Sequence, residues 1–175
     1  ATRPGQHLSY DIQKLHTPAR GGFTHMNTIT DEHTGFTSLP GMINKTTQST
    51  FNSVKQVILH DYNANSLKVD SIHSDPHSVN ISIIPKLNAI GVHGHVKTPQ
   101  HHARQVERMR QTIQNSVRSA HSRLNFHLPP DLNLYLEQNV VHNINRRLNS
   151  RSDPQHPLTP EEAVTGKRSI PSVPF

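Results

Sequence analysis

The apolar positions of this chain change rhythm several times. In residues 78–85 (SVNISIIP), Val79, Ile81 and Ile83 share one face of an extended chain, with Asn80 and Ser82 on the other. Ile90 and Val92 repeat the alternation within residues 89–96, as does the earlier run over residues 67–72 (LKVDSI). Turn formers separate the runs, at 74–77 (SDPH) and 85–88 (PKLN). Three short strands joined this way predict an antiparallel meander with one polar face.

From residue 98 the period becomes helical. Thr98 is placed as an N-cap with Pro99 at the first helical position. Val106, Met109, Ile113, Val117, Ala120 and Leu124 then recur every three or four residues. The prolines Pro129 and Pro130 end that helix, and Asp131 is expected to cap a second. Its stripe is Leu132, Tyr135, Leu136, Val140, Ile144 and Leu148. Upstream, Phe51, Val54 and Ile58 have helical spacing, although residues 57–59 are β-favouring. The helical reading, ending near His60, is preferred. Thr159, Pro160 and Glu162 form a capping-box pattern closed by Gly166.

Residues 1–45 show turn formers at 3–5, 17–18, 21–22, 35 and 39–41, which predicts an irregular arm. The expected fold is therefore a small α+β domain: an antiparallel sheet of about three strands covered by two long helices, with extended irregular N- and C-terminal arms. The expected division is an arm over 1–45, a core over 46–149, and a C-terminal arm over 150–175 with one short helical turn.

Composition narrows the function classes. Hydrophobic residues make up 31 %, against roughly 45–50 % in ordinary domains, which implies a small core for the length. The absence of cysteine excludes disulfides, thiolate metal sites and cysteine nucleophiles. No apolar run approaches the ~20 residues that span a bilayer, and the first residues carry no signal-peptide hydrophobic region. A net charge of +6 favours acidic partners.

Three constellations could carry chemistry. His93 and His95 share a strand face, and His101 and His102 follow close behind. Such imidazoles are the candidate ligands for zinc or copper, although no metal site or cofactor is assigned. Asp70, His73, Asp75 and His77 cluster around a turn, a composition that turns use for their own sake. Between 103 and 151, eight arginines and no lysine stand against Glu107, Asp131 and Glu137, a local charge of +5. Arg104, Arg108, Arg118, Arg123, Arg146 and Arg147 are the candidate contacts to nucleic acid or another anionic partner. There is no GxSxG, HExxH, phosphate-loop or GxGxxG motif, so no enzyme is expected.

Gly91 and Gly94 match the GxxG of KH modules, which there joins two helices. The order helix, strand, turn, strand, helix around residues 90–96 resembles BON modules and secretin ring-building modules, small α+β pieces of envelope assemblies. The resemblance covers about residues 50–120 and transfers no site residue. The reading these features support is a non-enzymatic structural or assembly subunit of a virion, secretion machine or ribonucleoprotein. It would be oligomeric or part of a hetero-complex, contacting neighbouring protein subunits through basic arms, in a virion, intracellular or envelope setting. The alternatives are an RNA- or DNA-binding subunit working through the arginine-rich helices, and a histidine-site metalloprotein.

Overall fold

The computed structural model describes the chain except for residues 97–98, 153 and 169–175; for 99–105 it describes the backbone alone. A hairpin near the start of the chain organises the rest. β1 (His7–Ala19) and β2 (Phe23–Asp31) run antiparallel, with Leu8 opposite Asp31 and Lys14 opposite His25. Gly21 and Gly22 close the turn at φ of +91° and +82°, which residues with a Cβ rarely adopt. Two short strands, β3 (Thr37–Ser38) and β4 (Gly41–Met42), pair with β2 in turn.

The expected irregular N-terminal arm is thus corrected. The turn formers between 17 and 41 separate strands; they do not prevent them. The strands were hard to see because β2 buries polar side chains. Asn27 and Thr30 are both inaccessible, one donating from Nδ2 to Ser53 Oγ at 3.0 Å and the other paired with Thr37 Oγ1 at 3.1 Å. These bonds offset part of the cost of burying them, so a low apolar fraction understates the core.

α1 (Thr47–Val57) starts at Thr46, whose hydroxyl accepts from Ser49 N at 3.3 Å, and runs into a π-helical turn over Ile58–Tyr62. β5 (Ser71–Ser74), α2 (Ser78–Ala89), β6 (His93–Val96) and α3 (Pro99–Arg123) follow. α4 (Asn133–Asn145) and α5 (Pro160–Thr165) complete the fold. The sheet order is β3-β2-β1-β5-β6, with β4 also on β2.

β1–β5 and β5–β6 are parallel. The expected three-strand antiparallel meander under two long helices does not hold: the sheet is mixed and larger. Its parallel half depends on crossover helices, α1 leading into β5 and α2 joining β5 to β6. The decisive misreading was α2. Residues 78–85 alternate as a strand would, but Asn80, Ile83 and Leu87 are the buried positions, at helical spacing, and Ile81 is 52 % exposed. A short β-branched run satisfies both periods, and tertiary packing decides between them.

The core is split accordingly. Leu8, Tyr10, Ile29, Val54, Val57, Ile72, Ile83, Leu87 and Val92 belong to the larger cluster, to which Val164 of α5 contributes. Ile113 of α3 belongs instead to a second cluster with Leu39, Val140 and Val141. Residues 79–92 therefore do not face α3. The stripe of α4 is rotated from its expected position, burying Leu134, Val140, Val141 and Asn145 while Tyr135 and Leu148 stay exposed.

Asn145 pins α4 to β3. Its Oδ1 accepts from Thr37 N at 2.9 Å and its Nδ2 donates to Thr37 O at 2.7 Å. Asp131 does not cap α4; its carboxylate accepts from Arg20 Nε at 2.9 Å. The capping box of α5 forms as the sequence predicts, with Gly166 left-handed after it. The Thr98 cap and the extreme C-terminal tail fall outside the described residues. Among the described residues no helix is long and apolar enough to cross a membrane.

Candidate functional site

Strand alternation gives β1 two unlike faces. Leu8 and Tyr10 point into the larger core, whereas His7, Ser9, Asp11 and Gln13 share the other face. Ser71 and His73 of β5 join that polar face. Ser9 Oγ donates to Glu32 Oε1 at 2.5 Å, and His73 Nδ1 lies 2.8 Å from the same oxygen. His7 Nδ1 meets Ser71 Oγ at 2.7 Å. The imidazoles form a tier across the strands, His7 to His73 at 5.4 Å, His73 to His95 at 5.6 Å, and His95 to His93 at 6.4 Å between ring centres.

The tier leads to a notch. β5 pairs with β1 from His7–Ser71 to Ser9–His73 and ends at Ser74, while β1 runs on to Ala19. Among the described residues, that edge of β1 has no strand partner beyond Ser9. Carrying the register two residues further sets Asp11 level with Asp75, just past the carboxyl end of β5. In open α/β sheets such ends of adjacent parallel strands are where ligands bind. α3 lies against this side. Arg110 Nη1 donates to Asp11 Oδ2, and Arg110 Nη2 donates to Gln13 Oε1 at 2.7 Å. Glu107 precedes Arg110 by one helical turn, on the same side of α3, and is exposed. Burial pushes the Glu137 carboxyl of α4 up, and the charge of Arg110 opposes that shift.

Comparison with known proteins adds the fold. Neither the protein-family models nor the curated protein sequences yield a match. Solved structures do. The chain is similar to the catalytic core domain of BIV integrase, with a TM-score of 0.64 and 14 % identity over 93 % of this chain and 95 % of that one. It is similar to the HTLV-2 integrase catalytic core domain in complex with magnesium, in a trimeric form, with a TM-score of 0.65 and 14 % identity over 93 % and 97 %. A chain of the simian T-cell lymphotropic virus intasome, bound to a PP2A regulatory subunit, gives a TM-score of 0.69 and 17 % identity. That match covers all of this chain, which spans 59 % of the intasome chain's length.

The fold is that of integrase catalytic cores. It overturns the expectation of a non-enzymatic structural subunit, because these cores are enzymes, and it replaces the small α+β envelope-module likeness with a mixed α/β sheet. The GxxG match has a structural explanation. Gly91 turns at φ +77°, and a Cβ at Gly94 would lie 3.2 Å from the Ile84 backbone, where α2 crosses β6.

The residues singled out from sequence fare unevenly. Arg108 is exposed beside Glu107, and Arg118, Arg123 and Arg147 are exposed farther away. Arg146 is engaged structurally, with Nε 3.3 Å from Glu161 Oε2 of α5. His93 and His95 belong to the imidazole tier. Arg104, His101 and His102 have side chains outside the described residues. Among the described residues, no three ligating side chains lie close enough together to hold a metal ion. A cleft of about 300 Å³ is lined by Phe36, Leu39, Val57, Asp61 and Val141 among others, and shares no residue with the notch.

Asp11 was missed, and Glu107 was counted only as charge. The available signal was the run His7-Leu8-Ser9-Tyr10-Asp11-Ile12, an acid on the polar face of a strand whose other face is core.

Proposed function

We propose that this chain is a nucleic-acid-processing core that cuts or joins strands by phosphoryl transfer, with Asp11, Asp75 and Glu107 as its acidic centre. The observation that carries this reading is the notch, where Asp11 falls level with Asp75 beneath the helix that bears Glu107. The integrase-like fold supports it, as does the exposed Arg108 beside Glu107, since arginines take up backbone phosphates and fix a strand in register. Three carboxylates are the donor chemistry that a hard divalent cation such as magnesium requires. Their spacing in this structure does not yet fit one, because no three ligating groups are gathered and Asp11 is held by Arg110.

A nucleic-acid partner and self-association belong to the same reading, supported by the intasome and trimeric settings of the neighbours, as does a virion or intracellular location. The test is cleavage and strand transfer on short labelled duplexes with manganese or magnesium, using the wild type and Arg110→Ala. Asp11→Asn, Asp75→Asn and Glu107→Gln should each lower the rate by ~100-fold or more. Absence of strand chemistry in both the wild type and Arg110→Ala would overturn the reading.

A further inference from the structure

Arg110 stands where a cation would be expected. It reaches from α3 to β1, donating through one Nη to Asp11 and through the other to Gln13 at 2.7 Å. The Arg110 and Asp11 side chains are 29 % and 30 % exposed, so the pair is partly shielded yet still open to exchange with ions in solution. Its Nε is enclosed without a hydrogen-bond partner, so the guanidinium is not saturated by its surroundings. A residue present only to brace α3 on the sheet could do so through Gln13 without spending its charge on the acid at the notch.

We propose that Arg110 is a built-in competitor for the divalent cation: its guanidinium takes the cation position on Asp11 and must withdraw before a metal can be held there. This rests on Asp11 belonging to the acidic centre. The physical ground is that a guanidinium and a dication held on one carboxylate repel each other at close range, even when each takes a different oxygen. Each therefore weakens the binding of the other to Asp11, and the ion pair sets how much metal the core takes up. Chemically conservative replacements at position 110 differ in consequence. Lysine keeps the charge but loses the fork that also grips Gln13, while glutamine keeps hydrogen bonding and removes the competitor.

Calorimetric titration of manganese into the protein alone, without nucleic acid, tests this. Arg110→Ala and Arg110→Gln should bind manganese ~10-fold or more tightly than the wild type, the size of a typical coupling between sites. The gain should vanish when Asp11→Asn is added. Equal affinities, or a gain that survives Asp11→Asn, would overturn the proposal. Should neither variant fold, Arg110→Lys decides: without the fork that also grips Gln13 it should bind manganese at least ~3-fold more tightly than the wild type, and equal affinity would sink the idea. An Arg110→Ala protein that binds manganese through Asp11 yet leaves every duplex intact would uphold this inference while refuting the catalytic reading.

Discussion

Leu8 and Tyr10 on one face of β1, and Ser9 and Asp11 on the other, are interleaved in one strand yet answer to different demands. The first pair is closed off under α1 and α2, at 0 % and 2 % exposure. Burial pushes the Tyr10 hydroxyl far above its usual range, as a group kept from water must be. The second pair makes polar contacts to Glu32 and Arg110, and Asp11 sits where the sheet opens. A single strand thus supplies both the wall of the core and the floor of the site. Position along the strand matters too, since Ser9 is still flanked by β5 whereas Asp11 is past its pairing.

Substitutions can test this contrast on a common scale. Leu8→Ala should cost about 3 kcal/mol, from lost burial plus an unfilled cavity. Asp11→Asn, three residues away, should change stability by about 1 kcal/mol or less, since its ion pair is partly exposed. Urea melts of the two variants would refute the division of labour if the order were reversed. The second core cluster offers an intermediate case. Asn145→Ala removes both hydrogen bonds to Thr37 and should cost about 2 kcal/mol, because the strand's N–H and C=O are left buried without partners. An unchanged melting temperature would show that α4 is held by its apolar contacts alone.

The smallest effect concerns Asp61, in the cleft away from the notch. Burial pushes its carboxyl up, opposed by the Ser38 hydrogen bond and the charge of His60. An acid raised in the folded state costs stability wherever it is ionised, and that cost fades as pH falls from the raised value to the ordinary 3.8, below which it is gone. Asp61→Asn should therefore melt slightly higher than the wild type near neutral pH and lose that advantage below pH 3.8. A variant that is less stable at neutral pH would mean that the Ser38 contact outweighs burial.

Much of the helical framework was legible, for clear reasons. α5 and the start of α1 carry caps, and α3 keeps a single period, so local chemistry and tertiary packing agree there. The sheet was legible only in pieces. Its parallel pairing depends on where α1 and α2 carry the chain, which local pattern does not encode, and α2 itself satisfied two periods until Asn80, Ile83 and Leu87 were seen to be buried. The candidate site was least visible. Asp11, Asp75 and Glu107 come from a strand, a loop and a helix, so no fixed spacing announces them. His93 and His95, conspicuous in sequence, prove to extend a tier in which His7 and His73 pair with Ser71 and Glu32 across the sheet.

The strand lengths at the two borders of the sheet bear on how this protein behaves in a crowd. One border is β6, four residues long; the other is shared by β3 and β4, two residues each. Unpaired backbone at a sheet border is a template for a stray strand from another molecule, and brevity is one of the ways proteins blunt it. The edge of β1 beyond Ser9 is met instead by α3, through Arg110 on Asp11 and Gln13. A helix laid along such an edge is another way of keeping it from a stray strand.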